Sequence, residues 1–418
     1  MGDMMKVNEQ ATLAKQAARV LAAANTGMKN DALLAIAKAL EAKTEEILSA
    51  NAKDIQAAKE NGMSTAMLDR LTLTATRIAG MITGVHELIA LDDPVGEFLS
   101  MQSRPNGLKI GKKRVPLGVC AIIYESRPNV TVDAAALCLK AGNTVILRGG
   151  KEAIHTNITL MQIMREALEN TAIPADAMHL VSDTSRESAT QLMGLVGLID
   201  VLIPRGGAGL IRTVVENAKV PVIETGTGVC HVFVDASAEL NMAAEIIENA
   251  KCTRPSVCNS AEALLVHEAI AKEFLPMAKA RLDAHKVEIR GDEKACAILG
   301  DTIVAATEDD FGVEFLDFIL AVKVVADIDE AMTHIAEHGS GHSECIVTES
   351  YQNAQRFLDT VDAAAVYVNA STRFTDGGVF GLGAEIGIST QKMHARGPMG
   401  LKELTSTKFV IYGNGQIR

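Results

Sequence analysis

The chain has 418 residues, 48% of them hydrophobic, which is enough to bury sizeable cores and to divide into two or three domains. Its 52 acidic residues outnumber the 40 basic ones, and the net charge of -12, without a block of Lys or Arg, argues against nucleic acid as a partner. The seven cysteines are odd in number and form no CxxC pair, so we expect reduced thiols in a cytoplasmic protein.

The N-terminal segment predicts neither export nor membrane attachment. No apolar signal core follows residues 1–6, and Lys6 occupies the position where a myristoylation signal has Ser or Thr. Apolar runs such as residues 119–123 are far shorter than the roughly 20 residues of a membrane-spanning helix. We therefore expect no leader, lipid anchor or membrane span.

Residues 6–92 predict a helical arm. They are rich in alanine and carry apolar side chains at helical spacing, as at Leu33, Ile36 and Leu40. Glycines at positions 27 and 62 interrupt the pattern, so several helices are expected.

A polar β-hairpin is predicted over residues 101–115, with its turn at Pro105-Asn106-Gly107. The last predicted strand, residues 408–412, is similarly isolated. Neither segment has enough apolar surface to fold alone, so we place both in a small β flap covered by another subunit. This predicts a homo-oligomer, with dimer and tetramer both open.

From Gly118 onward, short apolar runs alternate with amphipathic segments, which predicts parallel sheets in a doubly wound α/β fold. The runs form two series, so two lobes are expected. The predicted strands are 119–123, 144–147, 179–182, 200–203 and 221–223 in the first lobe, and 232–234, 263–266, 320–325, 345–348 and 365–368 in the second.

The strongest site signal is Cys258, on a loop just before a predicted strand. Most cysteines are small buried hydrophobic residues, so this one acquires meaning only from its context. That context is Glu224, which follows a predicted strand in a Gly-rich turn and precedes the cysteine by 34 residues. Ends of parallel strands commonly carry sites, although a solvated loop glutamate is the simpler alternative for Glu224.

The turn Glu224-Thr-Gly-Thr-Gly228, followed by a cysteine at this interval, resembles the aldehyde dehydrogenase superfamily. Three other segments resemble superfamily segments and occur in the same order along the chain: residues 115–123, residues 141–150 and Glu314-Phe315. The resemblance therefore covers nearly the whole chain. It implies an aldehyde dehydrogenase-like α/β fold in which Glu224 and Cys258 are catalytic.

Tyr124-Glu-Ser-Arg-Pro-Asn129 replaces the Pro-Trp-Asn segment of aldehyde-oxidising members. Together with residues 325–346, it resembles the branch that reduces L-glutamate 5-phosphate in proline biosynthesis, with mild departures at Met332 and Gly341. The histidines of this stretch have metal-like spacing on a helix, but Gly339 and Gly341 interrupt that helix, so we expect no metal site. Of His334, His338 and His342, the last is retained as a substrate-binding candidate.

The resemblance implies NADPH as cofactor, although a GxGxxG motif is absent. Arg205-Gly206-Gly207 aligns with the superfamily's phosphate-facing turn, where a helix N-terminus approaches phosphate. Arg148 matches a basic residue that reaches the adenosine ribose, and Lys151 stands where NAD-preferring members carry glutamate; two cations suit a 2′-phosphate. A solvated lysine is the alternative for Lys151. Glu314 resembles the glutamate that binds the nicotinamide ribose.

The resemblance also implies that Cys258 displaces phosphate to form a thioester, which is then reduced to L-glutamate 5-semialdehyde. The oxyanion is assigned to the Cys258 backbone N–H and to Asn129 or Asn259. Glu224 activates water in aldehyde oxidisers, a hydrolysis that this reaction must avoid, so deprotonation of Cys258 is its alternative role. Three arginines are unranked candidates for the substrate's phosphate and carboxylate: Arg127, Arg254 and Arg396.

Two other functions are considered: an aldehyde dehydrogenase that hydrolyses its thioester to an acid, and a non-catalytic scaffold. The missing Pro-Trp-Asn segment disfavours the first, and the presence of Cys258, Glu224 and Lys151 disfavours the second. Glutamate 5-kinase, which makes the acyl phosphate, is a candidate partner.

The predicted domains are a helical arm of the cofactor domain (1–98), an oligomerisation hairpin (99–116), a cofactor-binding domain (117–228), a catalytic domain (229–382), a return to the cofactor domain (383–404) and an oligomerisation strand (405–418).

Overall fold

The computed structural model describes residues 6–418, apart from the side chains of residues 65 and 66, and divides the chain into two compact units. The prediction about the N-terminal segment therefore falls largely on residues 1–5, outside the described residues. Unit 1 consists of three segments: the first ends at Thr225, and the other two are Gly381–Gly387 and Met399–Arg418. Unit 2 consists of Gly226–Phe380 and Ile388–Pro398. This corrects the predicted return segment 383–404, because residues 388–398 pack within unit 2. No described helix is long and apolar enough to cross a bilayer.

Unit 1 begins with helices, as the alanine-rich pattern predicts. Asn25 caps the second helix by accepting a hydrogen bond from the Met28 N–H at 3.0 Å, and Leu33, Ile36 and Leu40 of that helix are fully buried. Two strands follow the arm, of which the first is exposed and the second is mostly half-buried. These elements are α1 (Val7–Ala23), α2 (Thr26–Ala42), α3 (Thr44–Glu60), α4 (Thr65–Leu71), α5 (Ala75–Ala90), β1 (Phe98–Ser103) and β2 (Lys109–Pro116).

The centre of unit 1 is a parallel four-stranded sheet whose strands alternate with helices along the chain. Its elements are β3 (Val119–Tyr124), α6 (Asn129–Lys140), β4 (Thr144–Arg148), α7 (Ile154–Leu168), β5 (Met178–Leu180), α8 (Arg186–Gly194), β6 (Val201–Arg205) and α9 (Ala208–Asn217). The strand order is β5-β4-β3-β6.

The predicted strand at residues 221–223 is only a single bridge, between Val222 and Leu202 of β6. The Pro221 carbonyl accepts from the Leu202 N–H at 2.9 Å, but proline has no N–H to continue the ladder. The chain therefore leaves the sheet directly at the turn that begins with Glu224.

Unit 2 contains a parallel seven-stranded sheet in the order β10-β9-β11-β8-β7-β12-β13. The sequence pattern missed β9 and β10, which are short and lie at one edge. The elements are β7 (Cys230–Val234), α10 (Leu240–Cys252), β8 (Ala261–His267), α11 (Glu268–Asp283), β9 (Glu288–Gly291), α12 (Glu293–Leu299), β10 (Val304–Ala305), β11 (Ile319–Val325), α13 (Ile328–His338), β12 (Ser343–Val347), α14 (Tyr351–Thr360), β13 (Ala365–Val368), β14 (Ile388–Ser389) and β15 (Gly397–Pro398).

Both faces of the unit 2 sheet are covered, as its continuously apolar strands predict. Side chains alternate along β7, so Val232 and Val234 join a core that includes residues of α10 and α11. Phe233 points to the other face and packs with residues of α13 and α14. The predicted doubly wound architecture is therefore confirmed for this lobe.

The predicted hairpin and the last strand pair in one three-stranded antiparallel sheet. Its order is β1-β2-β16, where β16 is Thr405–Tyr412. Tyr412 pairs with Lys109 and Thr405 with Pro116, so β16 runs along the whole of β2. Large apolar side chains stay exposed on this β flap, including Phe98, Met101, Phe409 and Ile411.

Candidate active site

Cys258 lies in unit 2 on the loop between α10 and β8, with a partly exposed side chain. The loop is tied to its surroundings just beyond the cysteine. The Ser260 N–H donates to the Val257 carbonyl at 3.0 Å, and the Ser260 hydroxyl donates to the Ala250 carbonyl at 3.1 Å. The thiol is thus accessible while its backbone is held in place.

Gly228 supports this loop by close backbone contact. A Cβ atom at position 228 would overlap the Cys258 carbonyl oxygen, so only glycine permits the approach. The Gly228 N–H donates to a Glu314 carboxylate oxygen at 2.8 Å, and the Cys230 thiol donates to the Cys258 carbonyl at 3.2 Å. The glycine turn therefore sets the position of the cysteine backbone.

Two other thiols near this loop are poorer nucleophiles. Burial raises the pKa of Cys252 to about 11, with a further contribution from the Glu248 carboxylate. Burial also raises the pKa of Cys230 well above its usual value, and that side chain is fully buried. Because the thiolate is the reactive form, Cys258 is the best placed of the three for covalent chemistry.

Asn259 does not fit its predicted role as an oxyanion donor. Its side-chain amide nitrogen donates to the Arg373 carbonyl at 3.3 Å and to the Thr375 carbonyl at 2.9 Å. Both amide hydrogens are therefore used within the protein, and the side chain is buried. Asn259 instead joins the loop of Cys258 to residues 371–375.

Arg373 is a residue of this site that the sequence analysis missed. It lies on a short 3-10 helix, Thr372–Phe374, and its guanidinium donates to the Asn259 side-chain oxygen. The Thr372 hydroxyl donates to the Asn259 carbonyl at 2.8 Å, so two successive residues of this helix contact the residue after Cys258. The available signal was a polar loop after the carboxyl end of a parallel strand, β13.

His342 does not fit its predicted contact with substrate, because it is fully buried. Its ring Nδ1 lies 2.8 Å from the Ser343 hydroxyl and 3.7 Å from the Cys230 thiol. Helix α13 ends at His338, before Gly339, so His342 is off the helix that carries His334. His342 lies beside Cys230, whose thiol donates to the Cys258 carbonyl.

In unit 1, Glu224 follows the Val222 bridge and is partly exposed. The neighbouring Thr225 is buried, and its hydroxyl donates to the Pro204 carbonyl at 2.8 Å. This bond fixes the turn at the end of β6. Glu224 and Cys258 belong to different units, and the joint role implied by the resemblance is taken up below as a proposal.

Asn129 begins α6 in unit 1 and is partly exposed. Its amide nitrogen donates to the Asp133 carboxylate at 2.8 Å, one turn along the helix. Burial raises the pKa of Asp133 to about 6, against the effects of the Asn129 hydrogen bond and the nearby Arg205 charge. Asn129 keeps a second amide hydrogen, so it remains suited to the predicted oxyanion role that Asn259 loses.

The predicted phosphate turn is the N-terminus of α9, with Gly207 as its N-cap residue. The Gly207 N–H donates to a Glu125 carboxylate oxygen at 2.9 Å. A Cβ at Gly206 would lie 2.5 Å from the same oxygen, so the glycine provides the space that the carboxylate uses. The turn thus holds an anionic group in the manner expected of a helix N-terminus.

Arg148 and Lys151 differ in their surroundings. The Arg148 guanidinium donates to the Thr184 carbonyl at 2.5 Å and to the Ser185 carbonyl at 3.0 Å, and burial lowers its pKa. Lys151 is exposed at the start of a short 3-10 helix, Lys151–Ala153. Arg148 is therefore a fixed cation with part of its hydrogen-bonding capacity used, whereas Lys151 is open to solvent.

The three candidate arginines for substrate also differ. Arg127 lies in the turn before α6 in unit 1 and is partly exposed. Arg396, in unit 2, forms an ion pair at 2.7 Å with Asp362, a carboxylate that it shares with Lys392. Arg254 is exposed on the loop of Cys258, and within the described residues no ion pair or hydrogen bond is recorded for its side chain. Of the three, Arg254 is the best available for an anionic ligand near the thiol.

The chain matches the model of the aldehyde dehydrogenase family over residues 1–310. It is 61% identical, over 99% of this chain and 100% of the relative, to the gamma-glutamyl phosphate reductase of Carboxydothermus hydrogenoformans. The crystal structure of gamma-glutamyl phosphate reductase from Thermotoga maritima superposes with a TM-score of 0.97 at 51% identity, covering 99% of this chain and 100% of that one.

A more distant structure extends the likeness in fold alone. The acetylating aldehyde dehydrogenase of Geobacillus thermoglucosidasius has a TM-score of 0.71 at 18% identity and covers 99% of this chain and 97% of its own. The predicted superfamily and fold are thus confirmed. The chain belongs to the aldehyde dehydrogenase family and, within it, to the family of gamma-glutamyl phosphate reductases.

Proposed function

We propose that the protein reduces L-glutamate 5-phosphate with NADPH to L-glutamate 5-semialdehyde and phosphate, the second step of proline biosynthesis from glutamate. The observation that carries this proposal is the 61% identity, over 99% of the chain, with a relative named gamma-glutamyl phosphate reductase. The partly exposed Cys258, on a loop held by backbone contacts, supplies the nucleophile that such a reaction needs.

The covalent step uses the thiol of Cys258. Glu224 accepts the thiol proton, and the thiolate forms a sulfur–carbon bond to the acyl carbon while the bond from that carbon to the phosphate oxygen breaks. Phosphate leaves with the electron pair, and a thioester remains on Cys258. The Cys258 N–H and the Asn129 amide hold the oxygen that becomes negative during this exchange. Because water would hydrolyse the thioester, Glu224 acts here on the thiol and not on water.

Residues of unit 1 suit a dinucleotide phosphate. The α9 turn at Gly206 and Gly207 already accommodates a carboxylate, which indicates that it can hold a phosphate oxygen. Arg148 and Lys151 supply two positive charges for a 2′-phosphate. Glu314, a residue of unit 2, is assigned to the nicotinamide ribose. When bound, NADPH supplies the hydride by which the thioester becomes L-glutamate 5-semialdehyde.

The proposal also includes the oligomeric state of the enzyme, its partner kinase and its cellular location. The exposed apolar side chains of the β flap, such as Phe409 and Ile411, favour a homo-oligomer in which a second copy covers the flap. An acyl phosphate cyclises and hydrolyses readily, so direct transfer from glutamate 5-kinase in the cytoplasm would protect it.

The reverse reaction tests the proposal. The protein is supplied with L-glutamate 5-semialdehyde and NADP⁺, and reduced nicotinamide is followed with and without inorganic phosphate. We expect turnover only with phosphate, because phosphate must cleave the thioester. Turnover that is indifferent to phosphate would identify a dehydrogenase that hydrolyses its thioester to a free acid. The Cys258→Ala variant supplies the background rate.

A further inference from the structure

The loop at residues 371–375 is built around the residue next to the nucleophile. The Asn259 amide donates to the carbonyls of Arg373 and Thr375, and the Arg373 guanidinium donates back to the Asn259 side-chain oxygen. This reciprocal pairing fixes the direction of the Arg373 side chain. Its Nε atom is buried and has no hydrogen-bond partner among residues 6–418, so the described residues do not fully satisfy the guanidinium.

A second guanidinium lies near the first. Burial lowers the pKa of Arg373, and the positive charge of Arg254 lowers it further, whereas negative charge on Cys258 or Asp376 raises it. Two arginines that repel each other beside a thiol destabilise the folded protein unless an anion balances them. Asp376 supplies part of that balance, but its carboxylate also accepts from the backbone N–H groups of Gly378 and Val379.

We propose that Arg373 and Arg254 together bind the phosphoryl group of the acyl phosphate, an assignment that rests on the proposed function. Charge favours the phosphoryl group over the substrate's α-carboxylate. A phosphoryl group carries close to two negative charges and suits two guanidinium groups, whereas a carboxylate is balanced by one.

Position along the substrate favours the same choice. The phosphate is bonded directly to the acyl carbon that Cys258 attacks, whereas the carboxylate is at the far end of the glutamyl chain. Arg373 is held by the residue that follows Cys258, and Arg254 precedes it by four residues on the same loop. Both cations are therefore placed for the group that departs from the reacting carbon.

The two arginines stabilise the negative charge that develops on the phosphate when the Cys258 thiolate displaces it. As the sulfur–carbon bond forms, the bond between the acyl carbon and the phosphate oxygen breaks, and the electron pair stays with phosphate. Positive charge at the phosphate stabilises the departing dianion. In the reverse direction, the same charges hold inorganic phosphate for attack on the thioester.

The test measures the reverse reaction with separate titrations of inorganic phosphate and L-glutamate 5-semialdehyde. For Arg373→Gln and Arg254→Gln we expect the KM for phosphate to rise by about 10- to 100-fold, as loss of a charge-assisted contact predicts. The KM for the semialdehyde should change by less than about threefold. Arg356→Gln is the matched control, because Arg356 is half exposed and pairs with Asp329.

A binding readout separates this effect from damage to the loop. Inorganic phosphate should slow the alkylation of Cys258 by iodoacetamide in the wild-type protein, and this protection should be lost in Arg254→Gln, whose exposed side chain forms no hydrogen bond or ion pair with the part of the chain that the structure describes. A rise in the KM for semialdehyde, with phosphate KM and protection unchanged, would assign the arginines to the carboxylate and overturn the proposal. Failure of the proposed function would look different, since the wild-type enzyme would then turn over without phosphate.

Discussion

The loop of Cys258 in unit 2 and the α9 turn at Gly206 and Gly207 in unit 1 both depend on the space that a glycine leaves, but they hold their polar groups differently. Around Cys258, the carbonyl accepts from Cys230 and the adjacent Asn259 amide is used by protein carbonyls. At the N-terminus of α9, the Gly207 N–H is paired with the carboxylate of Glu125, whose side chain is exposed.

The difference indicates that one chain contains a site with fixed polar groups and a site with a replaceable polar partner. A covalent nucleophile must be positioned before the substrate arrives, because small displacements at a reacting centre are costly. A cofactor must bind and leave in each cycle, so a turn whose anionic partner can be exchanged is suited to it. Changes to the first region should therefore abolish chemistry, whereas changes to the second should alter cofactor affinity and choice.

The largest effect is expected for Cys258→Ala. Removal of the sulfur removes the thioester route, so kcat should fall by about 10⁴-fold or more while cofactor binding persists. Steady-state rates and a fluorescence titration with NADPH measure the two quantities. Cys252→Ala is the control and should change kcat by less than about threefold, because partial burial raises the pKa of that thiol to about 11. An inactive Cys252→Ala beside an active Cys258→Ala would refute the assignment.

Gly228→Ala tests whether backbone contact positions the nucleophile. Its new methyl group would overlap the Cys258 carbonyl, and we expect a loss of kcat on the order of 1000-fold, since an error of about 1 Å already costs about 100-fold. Circular dichroism and kcat are measured together. Gly80→Ala, in open space on α5, is the control. A folded Gly228→Ala variant with normal kcat would mean that the loop tolerates displacement.

Lys151→Glu tests the proposed cofactor site of unit 1. The substitution removes a cation near a 2′-phosphate and adds a repulsion, while it supplies an acceptor for a free ribose hydroxyl. Preference in kcat/KM should shift from NADPH toward NADH by roughly 10- to 1000-fold, mainly through weaker NADPH binding. Lys38→Glu, also exposed in unit 1, controls for net charge. A preference retained within about twofold would make Lys151 a solvated lysine.

Glu125→Gln should give the smallest effect. A phosphate at the α9 turn has to replace the Glu125 carboxylate, and a neutral amide competes less for the helix N-terminus. NADPH should therefore bind about two- to tenfold more tightly, as measured by isothermal titration calorimetry. Glu216→Gln, exposed near the other end of α9, is the control. Weaker NADPH binding in Glu125→Gln would show that the carboxylate supports the cofactor site.

Much of the fold was predictable because parallel strands are apolar runs separated by helices, as for Val119–Tyr124 and Ala365–Val368. The strands Glu288–Gly291 and Val304–Ala305, the last two at one side of the unit 2 sheet, were missed, since they are short and the first is largely polar. The segment 388–398 was misassigned because its partners are remote in sequence. Sequence periodicity reports burial, but it does not identify the neighbour.

The site was predictable where residues lie together along the chain, as in the turn of Glu224 and the loop of Cys258. Arg373 was missed because it meets Asn259 from a point 114 residues away. Asn259 was one of two candidate oxyanion donors and His342 a substrate-binding candidate from the family-like stretch 325–346, but the structure uses the Asn259 amide within the protein and buries His342. Hydrogen-bond saturation and burial decide such roles, and neither can be deduced from residue type.

The most direct test of the central claim is to isolate the thioester. The wild-type protein is mixed with L-glutamate 5-phosphate, generated in place by glutamate 5-kinase, without NADPH. Released phosphate is quantified, and the peptide containing Cys258 is analysed by mass spectrometry. The account predicts a γ-glutamyl group on Cys258 and an equimolar release of phosphate. Phosphate released at the uncatalysed rate with Cys258 unmodified, or an adduct on Cys252 instead, would contradict it.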